Sequence, residues 1–118
     1  MSRAREDAIT VLQSISSPDT HYEWYVATGG GGNLAAELWT FWMKYAYVPH
    51  SEEFLRGFSP AEHEQLERFT QFFESRLKLL PRRFEELMTD MYWGSIREYA
   101  QHLLEDLGRA EDPRCDDG

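Results

Sequence analysis

The chain has a single cysteine, Cys115, among 118 residues, and no apolar run that approaches the roughly 20 residues needed to span a bilayer. One cysteine excludes an intramolecular disulfide and a cysteine-based zinc site, and it fits a reducing compartment. The opening stretch MSRAREDAITVLQ carries charge throughout and lacks the apolar segment of a secretion signal, so a cytoplasmic protein is expected. Positive charge is scarce: 12 Lys and Arg stand against 21 Asp and Glu, for a net charge of −9. Such a field repels phosphate backbones and anionic lipid head groups, which disfavours nucleic acid and membrane as partners and favours a basic protein. Apart from one run of four glycines there is no low-complexity tract, and there is no internal repeat.

What is present is enough apolar side chain for a packed core, 42% hydrophobic with 14% aromatic. The spacing predicts an all-α fold, a compact bundle of about five helices in one domain over residues 1–108, followed by a flexible acidic tail over 109–118. From Ser2 to Ser16, Ala8, Ile9, Leu12 and Ile15 recur at helical spacing, with Arg3, Arg5, Glu6 and Asp7 assigned to the opposite, polar side. Residues 18–28 have two readings. Ser17 and Pro18 form a helix start, whereas Tyr22, Trp24 and Val26 alternate as in a strand; a short helix ended by Gly29 is the favoured one.

Asn33 then caps a helix expected to reach about Tyr47. Leu34, Leu38, Phe41, Trp42 and Tyr45 share one face; Ala35, Trp39, Met43 and Ala46 form a second apolar side. A helix this apolar is expected at the centre of the bundle, with Trp39 and Met43 either buried or facing a partner. Residues 49–58 read as a polar connection. Ser59, Pro60 and Glu62 make a capping box for a helix that buries Leu66, Phe69, Phe73 and Leu77. Its outer arc carries Glu64 and Glu74, each placed to pair with the base four residues on, Arg68 and Lys78. Pro81 begins a fourth element with Phe84, Leu87, Met88 and Met91 inward, ending near Trp93 and Gly94. Ser95 with Glu98 is expected to cap a fifth helix, stopped by Gly108.

The sequence GGGGNLAAEL has neither the lysine nor the hydroxyl that a phosphate-binding P-loop requires after its glycines. A strand-first dinucleotide fingerprint is absent too. The glycines therefore read as a hinge that lets the N-terminal elements pack against the central helix. His21, His50, His63 and His102 are scattered. The pairs His63 with Glu67 and Glu98 with His102 sit one turn apart, half of a metal site at most, and surface hydrogen bonding is the plainer reading. Cys115 lies among Asp112, Asp116 and Asp117, whose charge discourages the thiolate. No catalysis, cofactor or metal is expected.

The aromatic helix bearing LWTFW, the polar linker and FSPAEHEQLERF, through Trp42, Phe58, Ser59, Glu62, Leu66 and Phe69, resemble small acidic bacterial immunity proteins that neutralise secreted polymorphic toxins. The match covers Leu38–Phe69. It implies a protein that binds one cognate toxin domain and occludes its active site, a basic nuclease cleft being the surface that an acidic protein suits. Partner-binding candidates are Trp39, Glu52, Glu53, Glu64, Glu67 and Glu74. Two further classes stay open: a homodimer or larger self-assembly formed through the second apolar side, and a nucleic-acid mimic.

Overall fold

Most of the helices begin where a side chain can accept the amides that a first turn leaves free. Among residues 3–111, which the computed structural model describes with side chains as far as Gly108, the elements are α1 (Arg3–Ser16), α2 (Pro18–Ala27), α3 (Leu34–Phe41), a π-helical turn (Trp42–Ala46), α4 (Glu52–Gly57), α5 (Pro60–Leu77), α6 (Phe84–Met88) and α7 (Met91–Glu111). No strand occurs among them. Ser17 accepts the amide of Thr20 ahead of α2, and Asn33 that of Ala36 ahead of α3. Ser59 and Glu62 close the reciprocal capping box of α5, with Pro60 in its first turn. The ambiguous segment after Pro18 is a helix.

Several expected boundaries move. Residues 52–57 are helical, because Ser51 caps them and Phe54 is buried beneath them. The last helix starts at Met91, with the carboxylate of Asp90 accepting the amide of Trp93 at 2.9 Å. Ser95 thus lies inside the helix, its hydroxyl donating to the Met91 carbonyl. Gly108 does not end α7, which runs to Glu111. Residues 112–118, the rest of the expected tail together with Cys115, lie outside the described residues. Met91 is not inward but 76% exposed, while Leu87 of α6 is buried. Of the two expected i to i+4 pairs on α5, Glu64 and Arg68 meet at 2.6 Å; Glu74 and Lys78 do not pair.

α1 packs against α7, the π turn and α4, and α5 lies along α7. Ala8, Leu12 and Ile15 enter a core built from Trp42, Leu66, Phe69, Phe73, Trp93, Ile96 and Leu107, all fully buried. Its rings meet edge to face, Trp42 with Phe69 at 5.1 Å and Phe69 with Tyr99 at 5.3 Å, an arrangement that aligns positive ring edges with negative faces.

Arg5, expected on the polar side of α1, is buried instead. Its guanidinium donates to both carboxylate oxygens of Glu62 at 2.9 Å, to the Gly57 carbonyl at 3.0 Å and to the Leu107 carbonyl at 3.1 Å. It also lies 5.4 Å from the centre of the Phe58 ring. Burial pushes the Glu62 carboxyl up, but the hydrogen bonds from Arg5 and Ser59 and the Arg5 charge outweigh it and hold the group below the usual carboxylate range.

The four glycines form a defined turn. Gly29, Gly30 and Gly32 have φ of 66°, 85° and 93°, a region that side chains with a Cβ disfavour. Gly30 donates back to the Tyr25 carbonyl at 3.0 Å to close α2. A Cβ on Gly32 would come within 3.2 Å of the Trp24 ring.

Two outcomes are expected in urea unfolding. Glu62→Ala leaves Arg5 charged, buried and without its carboxylate, and should cost about 3–5 kcal/mol. Because the folded Glu62 carboxyl is held low, the pair stabilises the protein above the unfolded value of about 4.3 and loses that contribution as pH falls through the lowered one; the wild type should lose stability more steeply than Glu62→Gln between neutral pH and pH 3. Gly32→Ala should cost about 1–2 kcal/mol, and Gly31→Ala, at a position without positive φ, distinctly less.

Candidate protein-docking surface

The aromatic helix does not keep one geometry. After Phe41 the chain widens into a π turn in which the Tyr47 amide donates to the Trp42 carbonyl, five residues back, at 2.6 Å. Holding five residues in one turn shifts every later side chain around the axis relative to an α-helix. Trp42 and Ala46 stay inside, and Phe41, Met43 and Tyr45 come out, 42%, 39% and 51% exposed. Tyr45, inside the widened turn, thus leaves the face expected to be buried, and Phe41, the residue before the turn, is exposed as well, so the expectation that both share the buried face is corrected.

Trp42 fixes the turn from within. Its Nε1 donates to the Thr70 hydroxyl on α5 at 2.8 Å, and that hydroxyl donates to the Leu66 carbonyl at 2.7 Å. The Trp42 ring stacks near-parallel with Tyr47 at 6.2 Å. Outside, Phe41 and Tyr45 lie side by side at 6.0 Å, and the Lys44 ammonium sits 5.3 Å from the Tyr45 ring. With Leu38 they form one wall of a groove of about 390 Å³, whose other wall is the Arg3, Asp7, Thr10, Val11 and Ser14 side of α1. The groove is open and has an apolar floor with charge at the Arg3 and Asp7 end, the form that takes a side chain offered by another molecule.

The other candidates lie elsewhere. Trp39 is half-buried on the α5 side of α3, its ring edge-on to Phe73 at 5.1 Å. Glu64, Glu67 and Glu74 are exposed on α5, and Glu52 and Glu53 are exposed in the first turn of α4. Three of these acids are already engaged, Glu52 with Arg56 at 2.9 Å, Glu64 with Arg68, and Glu67 with the Gln71 amide at 3.5 Å. Glu67 adjoins Tyr47, whose phenol is pushed up by burial and then by the Glu67 charge. The six residues lie on α3, α4 and α5, and none of them lines the apolar groove on the α1 side.

Of the histidines, His63 contacts the Leu55 carbonyl at 3.0 Å and packs on Phe54. His21 is fully buried. Among the described residues no three His, Cys, Asp or Glu side chains gather in ligand geometry, and no helix is long and apolar enough to cross a membrane. The segment that carries the toxin-immunity resemblance is structural here: Trp42, Phe58, Leu66 and Phe69 are core, and Ser59 and Glu62 are the α5 cap. Comparison with protein-family models, curated proteins and solved structures gives no match.

Thr70→Val tests the inner support of the turn. It removes the acceptor of a fully buried indole N–H and should lower the stability measured by urea unfolding by about 1–3 kcal/mol.

Proposed function

We propose that the protein is a binding protein that acts by covering a basic protein partner, and that this partner is a secreted bacterial toxin domain whose active cleft, such as that of a nuclease, is thereby occluded. The observation that carries the reading is the exposure of Phe41, Met43 and Tyr45 over the π turn in a chain of net charge −9. Charge speeds encounter with a basic surface, and aromatic anchors seated after contact slow release. The resemblance of Leu38–Phe69 to immunity proteins supplies the toxin class, and it rests on residues that also build the core. A nucleic-acid mimic is supported less well, because Arg68 and Arg56 break the row of carboxylates that would have to follow phosphate spacing.

The test is capture by the tagged chain, at low and at high salt, from the organism that encodes it, with mass spectrometry of what is retained. One basic protein held at equal stoichiometry and released by salt is the expected result. Glu64→Gln, Glu67→Gln and Glu74→Gln together should then slow association and flatten its salt dependence, while Phe41→Ser with Tyr45→Ser should speed dissociation at least tenfold. Recovery of the chain alone, with a light-scattering mass that rises with concentration, would replace this reading by self-association.

A further inference from the structure

The ten residues of α2 bury one side chain, and it is a histidine. His21 has 0% exposure, its ring lies 5.4 Å from that of Trp93, and its ring nitrogens lie near the Ser14 and Ile15 carbonyls of α1 without reaching good hydrogen-bond geometry with either. On α7, Trp93 Nε1 and Arg97 Nε are also buried without partners. An aliphatic residue would fill the same place with no polar group to desolvate.

The charged groups around the imidazole are few. Arg97 is the one that faces it from α7, and Glu98 lines the small cavity beside Arg97. From α1 come the Ser14 and Ile15 carbonyls. Asp19 and Glu23 of α2 itself are exposed. Glu37 on α3 is taken by the Trp24 indole at 2.5 Å, and Glu85 on α6 by the Tyr25 hydroxyl at 3.2 Å. Burial lowers the His21 pKa; the two carbonyls oppose this without overcoming it, and the Arg97 charge lowers it further.

Trp24 is half-buried and packs against the edge of the core, and the rest of the attachment of α2 is peripheral. Tyr22 and Val26 are each 61% exposed, and Tyr25 stacks on Phe84 at 4.5 Å near the surface. Both ends of the helix are jointed, by Ser17–Pro18 on one side and by the left-handed glycines on the other.

We propose that α2 is an acid-released flap: a proton on His21 turns its one fully buried side chain into a cation set against Arg97, and α2 swings out on its two joints, withdrawing Trp24 and uncovering Trp93 while the other helices stay folded. With α2 open, the ring meets water and titrates near its ordinary value of about 6.5. The closed form favours the neutral ring, so opening is independent of pH above that value. Below it the opening constant rises up to tenfold per pH unit.

Hydrogen exchange of the whole chain between pH 7.5 and 5, corrected for the chemical pH dependence of exchange, reads this directly. Protection of the α2 amides should fall about tenfold per unit below pH 6.5, while the α5 amides keep theirs. His21→Leu should hold α2 protected throughout the range. Arg97→Gln keeps the anchor and removes the repulsion that lowers the closed-form His21 pKa, and should weaken the loss of protection at the acid end of the range while the onset stays near 6.5. The proposal fails if α2 protection does not change with pH, if it changes equally in His21→Leu, if Arg97→Gln loses as much protection by pH 5 as the wild type, or if α2 and α5 lose protection together.

Discussion

The ion pair between Arg5 and Glu62 is the constraint on which the packing of the bundle depends. Removing two charges from water is costly, and a buried pair is tolerable when the remaining hydrogen-bonding capacity is also used. Here Glu62 Oε1 accepts from the Ser59 amide at 2.8 Å as well as from Arg5, so one carboxylate closes the first turn of α5 and holds α1. The guanidinium spends its other donors on the end of α4 and on the last turns of α7. Four helices are thereby located by one planar cation, with a directionality that the surrounding aliphatic contacts lack.

Helices were legible in the sequence where their signals are local. Ser59, Pro60 and Glu62, Asn33, and Ser17 with Pro18 each mark a start that the structure contains, because a cap needs only its own turn. Ser95 misled for the same reason: it has the spacing of a cap, but Asp90 stands one turn earlier and Gly94 does not stop a helix that is held by Trp93, Ile96 and Leu103 in the core. Arg5 could not be placed from periodicity, since its partner is 57 residues away and a buried arginine has the same letter as a solvated one.

The candidate surface was the least legible part. A 3.6-residue wheel drawn through Tyr47 groups Phe41 and Tyr45 with Trp42, whereas the π turn, which begins at Trp42, rotates Tyr45 away and Phe41 already lies outward at the end of α3. What forces the widening is tertiary: Trp42 must reach Thr70, and Tyr47 must lie over Trp42. The acids were legible as exposed, yet whether each is matched by an arginine depends on rotamers that no sequence pattern fixes. His21 carries no signal either, because the same helix written with leucine there would read identically.

The pairing of α1 with α7 has a consequence for synthesis. The Arg5 guanidinium reaches the Leu107 carbonyl across 102 positions of chain, so α1 waits for α7, which is translated later. Until α7 leaves the ribosome, Leu12, Trp42, Phe69 and Phe73 have no complete enclosure, and the nascent segment exposes the aromatic surface that chaperones recognise. The core therefore closes late, and elements that form early on their own, such as the capped α5, hold secondary structure before they hold a core.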